Sequence, residues 1–189
     1  TNYHMYKNFN ETYHFIDKFT EADLNKLSNK ISLIYRNYKK KIDIDLIKKI
    51  KKFCKKTNRK FYLANEIKLA FNLSLDGAYI PAFNRNLNHL SYSQKINFKL
   101  IGSAHSLKEM NTKSIQQVEV IFLSPVFMTK KNKRNLGLYK YMYLKRLTKQ
   151  KVVALGGLNN LNCKKIKLTK SYGIASISSI KNIYDRKTS

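Results

Sequence analysis

The pairs Gly156-Gly157 and Ser178-Ser179 are the residues of this sequence best placed to bind a phosphate. Each pair follows a short apolar segment that is typical of a buried strand. At the carboxyl ends of parallel strands, bare main-chain N–H groups and a helix N-terminus commonly hold a phosphate. The alternative is that the glycines only begin a turn and the serines only cap a helix.

The sequence around these pairs carries only positive charge. Between Ile121 and Tyr184 there are 14 Lys or Arg residues and no Asp or Glu, within a chain of formal net charge +27. Lysine supplies 32 of the 38 basic residues, which indicates compositional drift more than nucleic-acid recognition, since specific readers favour Arg. A small anionic ligand is compatible with the high positive charge whether that charge arises from compositional drift or from function. The basic segment Met128–Arg134 is suited to fold over such a ligand as a lid.

His105 is the one histidine that follows a predicted strand, the fifth, at the end where a barrel active site would form. Acid–base or ligand-positioning work suits that position, and a hydrogen-bonded structural role suits it equally. His4, His14 and His89 have no comparable context and receive no role.

Carboxylates are scarce where a cation such as Mg²⁺ would need them. The third and fourth predicted strands end in Ala64-Asn65-Glu66 and Ala82-Phe83-Asn84, where Glu66 is the only acidic residue. Asp76 precedes the fourth strand, at the expected bottom of a barrel, and is assigned to stability.

Short apolar segments alternate with amphipathic ones along the chain, which favours βα units around a parallel sheet. Asp43–Lys56 is the clearest predicted helix, with apolar residues on one face and lysines on the other. Eight βα units close most naturally into a compact (β/α)8 TIM barrel, predicted as a single domain over residues 1–189. An open doubly wound sheet is the second choice, but the turn after the first strand has no glycine. The predicted strands are Thr12–Asp17, Ser32–Tyr35, Phe61–Ala64, Gly77–Ile80, Lys99–Ser103, Val120–Leu123, Val152–Leu155 and Gly173–Ile177.

The remaining composition predicts a cytoplasmic protein. No segment is apolar for long enough to cross a membrane, and the polar start of the chain does not look like a signal peptide. Cys54 and Cys163 lie in predicted helices without metal-ligand spacing, so neither zinc nor a disulfide is expected. Whether the chain forms a homo-oligomer is left open.

Five segments, in order over about residues 31–180, resemble the thiamine-phosphate synthase/TenI family. Leu123–Thr129 resembles the loop G-P-I-F-P-T of that family, and Val153–Leu158 resembles its V-A-I-G-G-I. The other three are Asp76–Ile80 (D-G-V-H-L), Leu100–Ser106 (I-G-V-S-T-H-S) and Gly173–Ile180 (G-V-A-V-V-S-A-I).

The resemblance implies a (β/α)8 barrel that joins hydroxymethylpyrimidine pyrophosphate to a thiazole phosphate, with Mg²⁺ and basic groups stabilising the departing pyrophosphate. The resemblance also implies which residues bind each part of the two substrates. The thiazole phosphate would be bound by Gly156, Gly157, Ile177 and Ser178, the pyrophosphate loop would contain Thr129, and the pyrimidine pyrophosphate would contact Arg36 and Ser103.

The sequence departs from this pattern at the pyrimidine and metal end. The two metal-binding aspartates of the family correspond to Asn65 and Asn84, so any Mg²⁺ site should be much weaker. Around Arg36 a Gln and a Lys of the family motif are replaced. Lys131 stands where the family has a second Thr, and its ammonium is expected to restore some positive charge.

The leading hypothesis is therefore a thiamine-phosphate synthase-like transferase. A non-catalytic barrel that binds a phosphorylated thiazole or thiamine phosphate is the second. The third is a TenI-like tautomerase that uses His105, although the histidine of that branch is replaced by Pro125. Nucleic-acid binding ranks last.

Overall fold

A computed structural model describes residues 9–38, 41–92, 97–129 and 133–177. Strands and helices alternate through all four ranges, and each strand is almost entirely buried, as expected for a sheet covered on both faces. The strands are β1 (Glu11–Ile16), β2 (Ile31–Tyr35), β3 (Phe61–Ala64), β4 (Gly77–Ile80), β5 (Lys99–Ala104), β6 (Val120–Leu123), β7 (Lys151–Leu155) and β8 (Gly173–Ser176). The helices are α1 (Glu21–Asn25), α2 (Ile44–Lys56), α3 (Ile67–Asn72), α4 (Leu107–Ile115), α5 (Gly137–Arg146) and α6 (Asn160–Leu168).

The strands form a closed parallel barrel in sequence order, β1 to β8. Closure comes from the pairing of β1 with β8, in which Thr12 lies opposite Ile174. The predicted barrel is thereby confirmed and the open sheet is excluded. Each predicted strand boundary lies within one residue of the observed one. The predicted helix Asp43–Lys56 is α2, whose N-cap Asp43 accepts a hydrogen bond from the amide of Leu46 at 2.9 Å.

One helix differs from expectation. Between β4 and β5 the described chain has only a short 3-10 helix, Asn88–Ser91, where a full α-helix was predicted. None of the helices in the described ranges is long and apolar enough to cross a membrane. Both cysteines lie in helices as predicted, buried and unpaired, and burial raises the pKa of Cys54 to about 12 and that of Cys163 to about 11.

Aromatic side chains fill the barrel interior, so any ligand must bind at its mouth. Neighbouring rings lie with centroids 4.8 to 6.1 Å apart, within the range of favourable aromatic contacts. The rings belong to Tyr13, Phe15, Tyr62, Tyr79 and Phe122. At the opposite end Asp76 accepts a hydrogen bond from the amide of Phe61, which agrees with its predicted structural role.

A buried polar network holds the segment that follows β4. The ammonium of Lys113, in α4, donates to the main-chain carbonyl of Asn84 and to Oε1 of Gln116, both at 2.8 Å. Nε2 of Gln116 in turn donates to the carbonyls of Asn84 and Asn86. Since these partners are neutral, burial lowers the pKa of Lys113 to about 8, with a smaller opposing effect from Glu109.

We predict that Lys113 makes the free energy of unfolding increase with pH in the alkaline range. Between about pH 8 and about pH 10 the folded protein has lost the Lys113 proton, whereas the unfolded chain keeps it, so stability rises with pH. Urea titrations at both ends of that window should show the wild type gaining on the order of 1–2 kcal/mol relative to Lys113→Met. A difference between the two proteins that does not change with pH would contradict the prediction.

Candidate functional site

The glycine pair Gly156-Gly157 directly follows β7 in a backbone conformation that favours glycine. Gly156 has φ +93° and Gly157 has φ +68°. A Cβ on Gly156 would lie 2.8 Å from Cβ of Pro125, and one on Gly157 would lie 2.5 Å from the carbonyl oxygens of Phe127 and Met128. The loop after β6 therefore rests against the pair, and no other residue type fits there.

Hydrogen bonds fix this contact through the carbonyl groups. The amide of Val126 donates to Leu155 at 3.0 Å, and the amide of Phe127 donates to Gly156 at 3.2 Å. Nδ2 of Asn162 donates to the carbonyl of Gly157 at 2.8 Å. In contrast, the amides of Gly156 and Gly157 find no acceptor within the described ranges. The pair thus has two main-chain donors for an anion.

The N-terminus of helix α6, which follows the glycine pair, offers fewer free main-chain N–H donors than the pair itself within the described residues. Oδ1 of Asn159 accepts from the amides of Leu161 and Asn162 at the start of α6, both at 2.9 Å. Nδ2 and Oδ1 of Asn162 complete the turn by bonding Gly157 and the amide of Asn159. Because side chains already cap this N-terminus, the candidate phosphate donors after β7 are the glycine amides.

The other predicted phosphate residues follow β8. This strand pairs with β7, with Leu155 opposite Ala175, so the next residues of both strands lie side by side at the mouth. Ile177 is there, with 49% of its surface exposed. Ser178 and Ser179 lie outside the described residues, and their role stays a prediction.

The predicted lid, Met128–Arg134, follows β6 and is described only in part. Thr129 is half-buried at the end of the described part of this loop, just after Met128. Lys131 lies outside the described residues. Lys133 and Arg134 resume the chain as exposed side chains. Their positions agree with a lid, which stays a prediction.

His105 is held at the mouth by hydrogen bonds to helix α4 and to the residue that follows β6. Its amide donates to Oε2 of Glu109, and its Nδ1 lies 2.6 Å from the carbonyl of Ser124. A carbonyl partner requires Nδ1 to carry the proton, so Nε2 of the neutral ring is an acceptor. His14 and His89 are buried and contact the carbonyls of Ser176 and Gln116.

Arg36 and Ser103, predicted to contact the pyrimidine pyrophosphate, lie directly after β2 and in β5. The guanidinium of Arg36 lies over the ring of Phe15, 5.0 Å from its centroid. Tyr79 hydrogen-bonds Ser103, and burial raises the pKa of Tyr79 to about 12, so its hydroxyl is protonated at neutral pH. Tyr79 is not among the residues predicted for the site, although it occupies the fourth position of the quoted segment Asp76–Ile80, where the family has a histidine.

Asn65 and Asn84, the candidate metal positions, meet at the ends of β3 and β4. Nδ2 of Asn84 donates to Oδ1 of Asn65 at 2.8 Å, and Oδ1 of Asn84 accepts from the amide of Asn86 at 2.8 Å. Both side-chain oxygens are thus used within the protein. The described residues contain no group of three or more His, Cys, Asp or Glu side chains that could hold a metal ion. The residues at this position do not fit Mg²⁺.

Comparison with known proteins identifies the family of this barrel. Residues 17–180 match the family model described as thiamine monophosphate synthase. The chain belongs to this family. It is 30% identical over 166 residues to a thiamine-phosphate synthase of Prochlorococcus marinus subsp. pastoris, covering 83% of this chain but 46% of that protein. Thiamine-phosphate synthase 1 of Streptococcus pneumoniae R6 is 28% identical, with 72% of this chain and 67% of the relative covered.

Solved structures of the family share the fold. Thiamine phosphate pyrophosphorylase from Pyrococcus furiosus superposes with a TM-score of 0.74 at 17% identity, covering 95% of this chain and 94% of that one. A Bacteroides thetaiotaomicron protein of the same name gives a TM-score of 0.63. This chain therefore spans nearly the whole of one solved family barrel, although it spans less than half of the Prochlorococcus protein.

We predict that Gly157→Ala will disrupt phosphate binding. A methyl group there meets two main-chain carbonyls at 2.5 Å, so the loop after β6 must move. Isothermal titration should show thiamine phosphate bound at least about tenfold more weakly, with the free energy of unfolding reduced by about 1–3 kcal/mol.

Gly137→Ala is the matched control, because Gly137 also has a positive φ, +70°, but its nearest neighbour would be 4.0 Å away. It should lower stability by about 1 kcal/mol and leave the affinity unchanged. Equal losses of affinity in the two variants would mean that the contact with the β6 loop does not shape the site.

Proposed function

We propose that this protein is a thiamine-phosphate synthase-like transferase that joins hydroxymethylpyrimidine pyrophosphate to a thiazole phosphate. The observation that carries the proposal is that the amides of Gly156 and Gly157 find no acceptor in the described part of the chain, at the mouth of a barrel of the thiamine monophosphate synthase family. Main-chain donors of this kind bind a phosphate ester without any charged side chain.

The thiazole phosphate binds at the β7–β8 end in this proposal. The amides of Gly156 and Gly157 donate to its phosphate oxygens, with Ile177, Ser178 and Ser179 completing the site from β8. The loop after β6 closes over the ligand, and Thr129 and Lys131 contact the pyrophosphate. Holding the phosphate in this way fixes the thiazole ring, so that its nitrogen faces the second substrate.

The pyrimidine pyrophosphate binds at the β2–β5 side, near Arg36 and Ser103. The guanidinium of Arg36, oriented by the ring of Phe15, stabilises the negative charge that develops on the leaving pyrophosphate. The C–O bond to pyrophosphate breaks, and the pyrophosphate leaves with the electron pair. The thiazole nitrogen then donates its lone pair to the methylene carbon, which gives thiamine phosphate.

The relatives favour this activity over the two alternatives. Relatives called thiamine-phosphate synthases support transfer, whereas Pro125 stands where the tautomerase branch is understood to have a histidine. His105, with Nε2 as an acceptor, is assigned to positioning at the mouth. Because both cysteines are buried and unpaired, we place the enzyme in a reducing compartment such as the cytoplasm.

The direct experiment supplies both substrates together with Mg²⁺ and measures thiamine phosphate by chromatography. Product that accumulates with enzyme and requires both substrates supports the proposal. Binding of thiamine phosphate without any turnover would replace the transferase with a non-catalytic binding barrel.

We predict that Arg36→Gln lowers kcat/KM for the pyrimidine pyrophosphate by roughly 100-fold, since one charge-assisted contact to the leaving group is lost. The KM for thiazole phosphate should change by less than about threefold, because that substrate binds at the other side of the mouth. Arg146→Gln, an exposed position in the last turn of α5, is the control and should behave as the wild type. Equal kinetic effects of the two substitutions would remove Arg36 from the site.

A further inference from the structure

The orientation of the Asn65 and Asn84 amides is set by the main chain. The amide N–H of Asn86 can only donate, so the Asn84 atom facing it is the oxygen. Nδ2 of Asn84 must then face Asn65, and the Asn65 atom that receives it at 2.8 Å is Oδ1. One main-chain donor thus fixes both side chains.

Further contacts hold this arrangement in place. The amide of Asn65 donates to the carbonyl of Tyr79 at 2.8 Å, and its φ of +65° is one that Asn and Asp tolerate better than other side chains. The carbonyl of Asn84 accepts from the ammonium of Lys113 at 2.8 Å, and the amide of Asn84 donates to Pro81. The main chain of Asn84 is therefore held at both its amide and its carbonyl.

The remaining polar group of the pair is Nδ2 of Asn65, an N–H donor. Within the described residues it finds no acceptor. Asn65 borders a cavity of about 320 Å³, together with Tyr38, Lys41, Glu66 and Phe83. Two carboxyl groups also line this cavity. That of Asp43 caps α2 by accepting from the amide of Leu46, and burial raises the pKa of Glu66.

We propose that Asn65 and Asn84 form a hydrogen-bonded amide pair that presents an N–H donor in place of a divalent-cation site, so that a diphosphate binds here without a metal ion. Oxygen atoms are what Mg²⁺ requires, and both side-chain oxygens of the pair are already engaged by N–H groups. An N–H donor facing this cavity suits an oxyanion instead, and Lys41 lines the same cavity. The diphosphate as ligand rests on the proposed function, whereas the absence of a metal requirement rests on the amide pair alone.

Asn65→Asp tests this directly, because it changes one outward-facing atom and little else. An aspartate at residue 65 still accepts from Nδ2 of Asn84 and still tolerates the positive φ. Its second atom becomes a negative oxygen where the wild type has an N–H donor. Asn88→Asp is the matched control, since it adds the same charge to an exposed side chain in the loop after β4.

The probe is inorganic pyrophosphate, titrated calorimetrically in EDTA. The wild type should bind it without metal, Asn65→Asp at least about tenfold more weakly, and Asn88→Asp within about threefold of the wild type. Equal affinities of the two variants would overturn the proposal, as would binding by the wild type only when Mg²⁺ is added.

Mn²⁺ titration followed by electron paramagnetic resonance gives a second measurement that needs no variant. The free Mn²⁺ signal should not fall when wild-type protein is added at millimolar metal, and a stoichiometric fall would overturn the proposal. Neither measurement involves turnover. A protein that fails to make thiamine phosphate can still pass both, so failure of the proposed function and failure of this inference are distinguishable.

Discussion

The contact between the loop after β6 and the glycine pair after β7 is the constraint on which the candidate site depends. Gly156 and Gly157 adopt left-handed conformations. A Cβ atom added to either glycine would lie within 3 Å of atoms of Pro125, Phe127 or Met128. This approach uses the carbonyls of the pair as acceptors, and the amides of the pair find no acceptor among the residues that the structure describes. In the proposed phosphate site, the donors therefore come from how two neighbouring strands end, with no charged side chain required.

In the two proposals, the two sides of the barrel mouth bind anions by different physical means. At β7 and β8 the donors are main-chain amides. At β2 to β5 they are the guanidinium of Arg36 and the amide pair Asn65–Asn84, surrounded by the aromatic rings of Phe15 and Tyr79. Both arrangements offer N–H groups, which agrees with a chain that has few carboxylates and a net charge of +27. The lysines of the outer surface add to the general potential but are not what shapes the site.

The fold could be predicted from the sequence because the strand signal is local. Segments such as Val120–Leu123 are short, apolar and bounded by polar residues, and eight of them in alternation with helices leave little besides a barrel. The glycine pair could be placed for the same reason, since it directly follows such a segment.

The geometry of the pyrimidine side depends on contacts between distant parts of the chain, and for that reason it could not be predicted. The orientation of Asn84 depends on Asn86, but its position also depends on Lys113, 29 residues further along in α4. Tyr79 and Ser103 lie on neighbouring strands only because β4 pairs with β5 in the barrel. The described residues between β4 and β5 form no α-helix for the same reason, because Lys113 and Gln116 satisfy the carbonyls of that segment from another element.

The most direct test of the central claim is a crystal structure of the protein with thiamine phosphate bound. The account predicts a phosphate group with oxygen atoms about 3 Å from the amide nitrogens of Gly156 and Gly157. A phosphate bound only to surface lysines, with those two amides bonded to protein carbonyls, would contradict it.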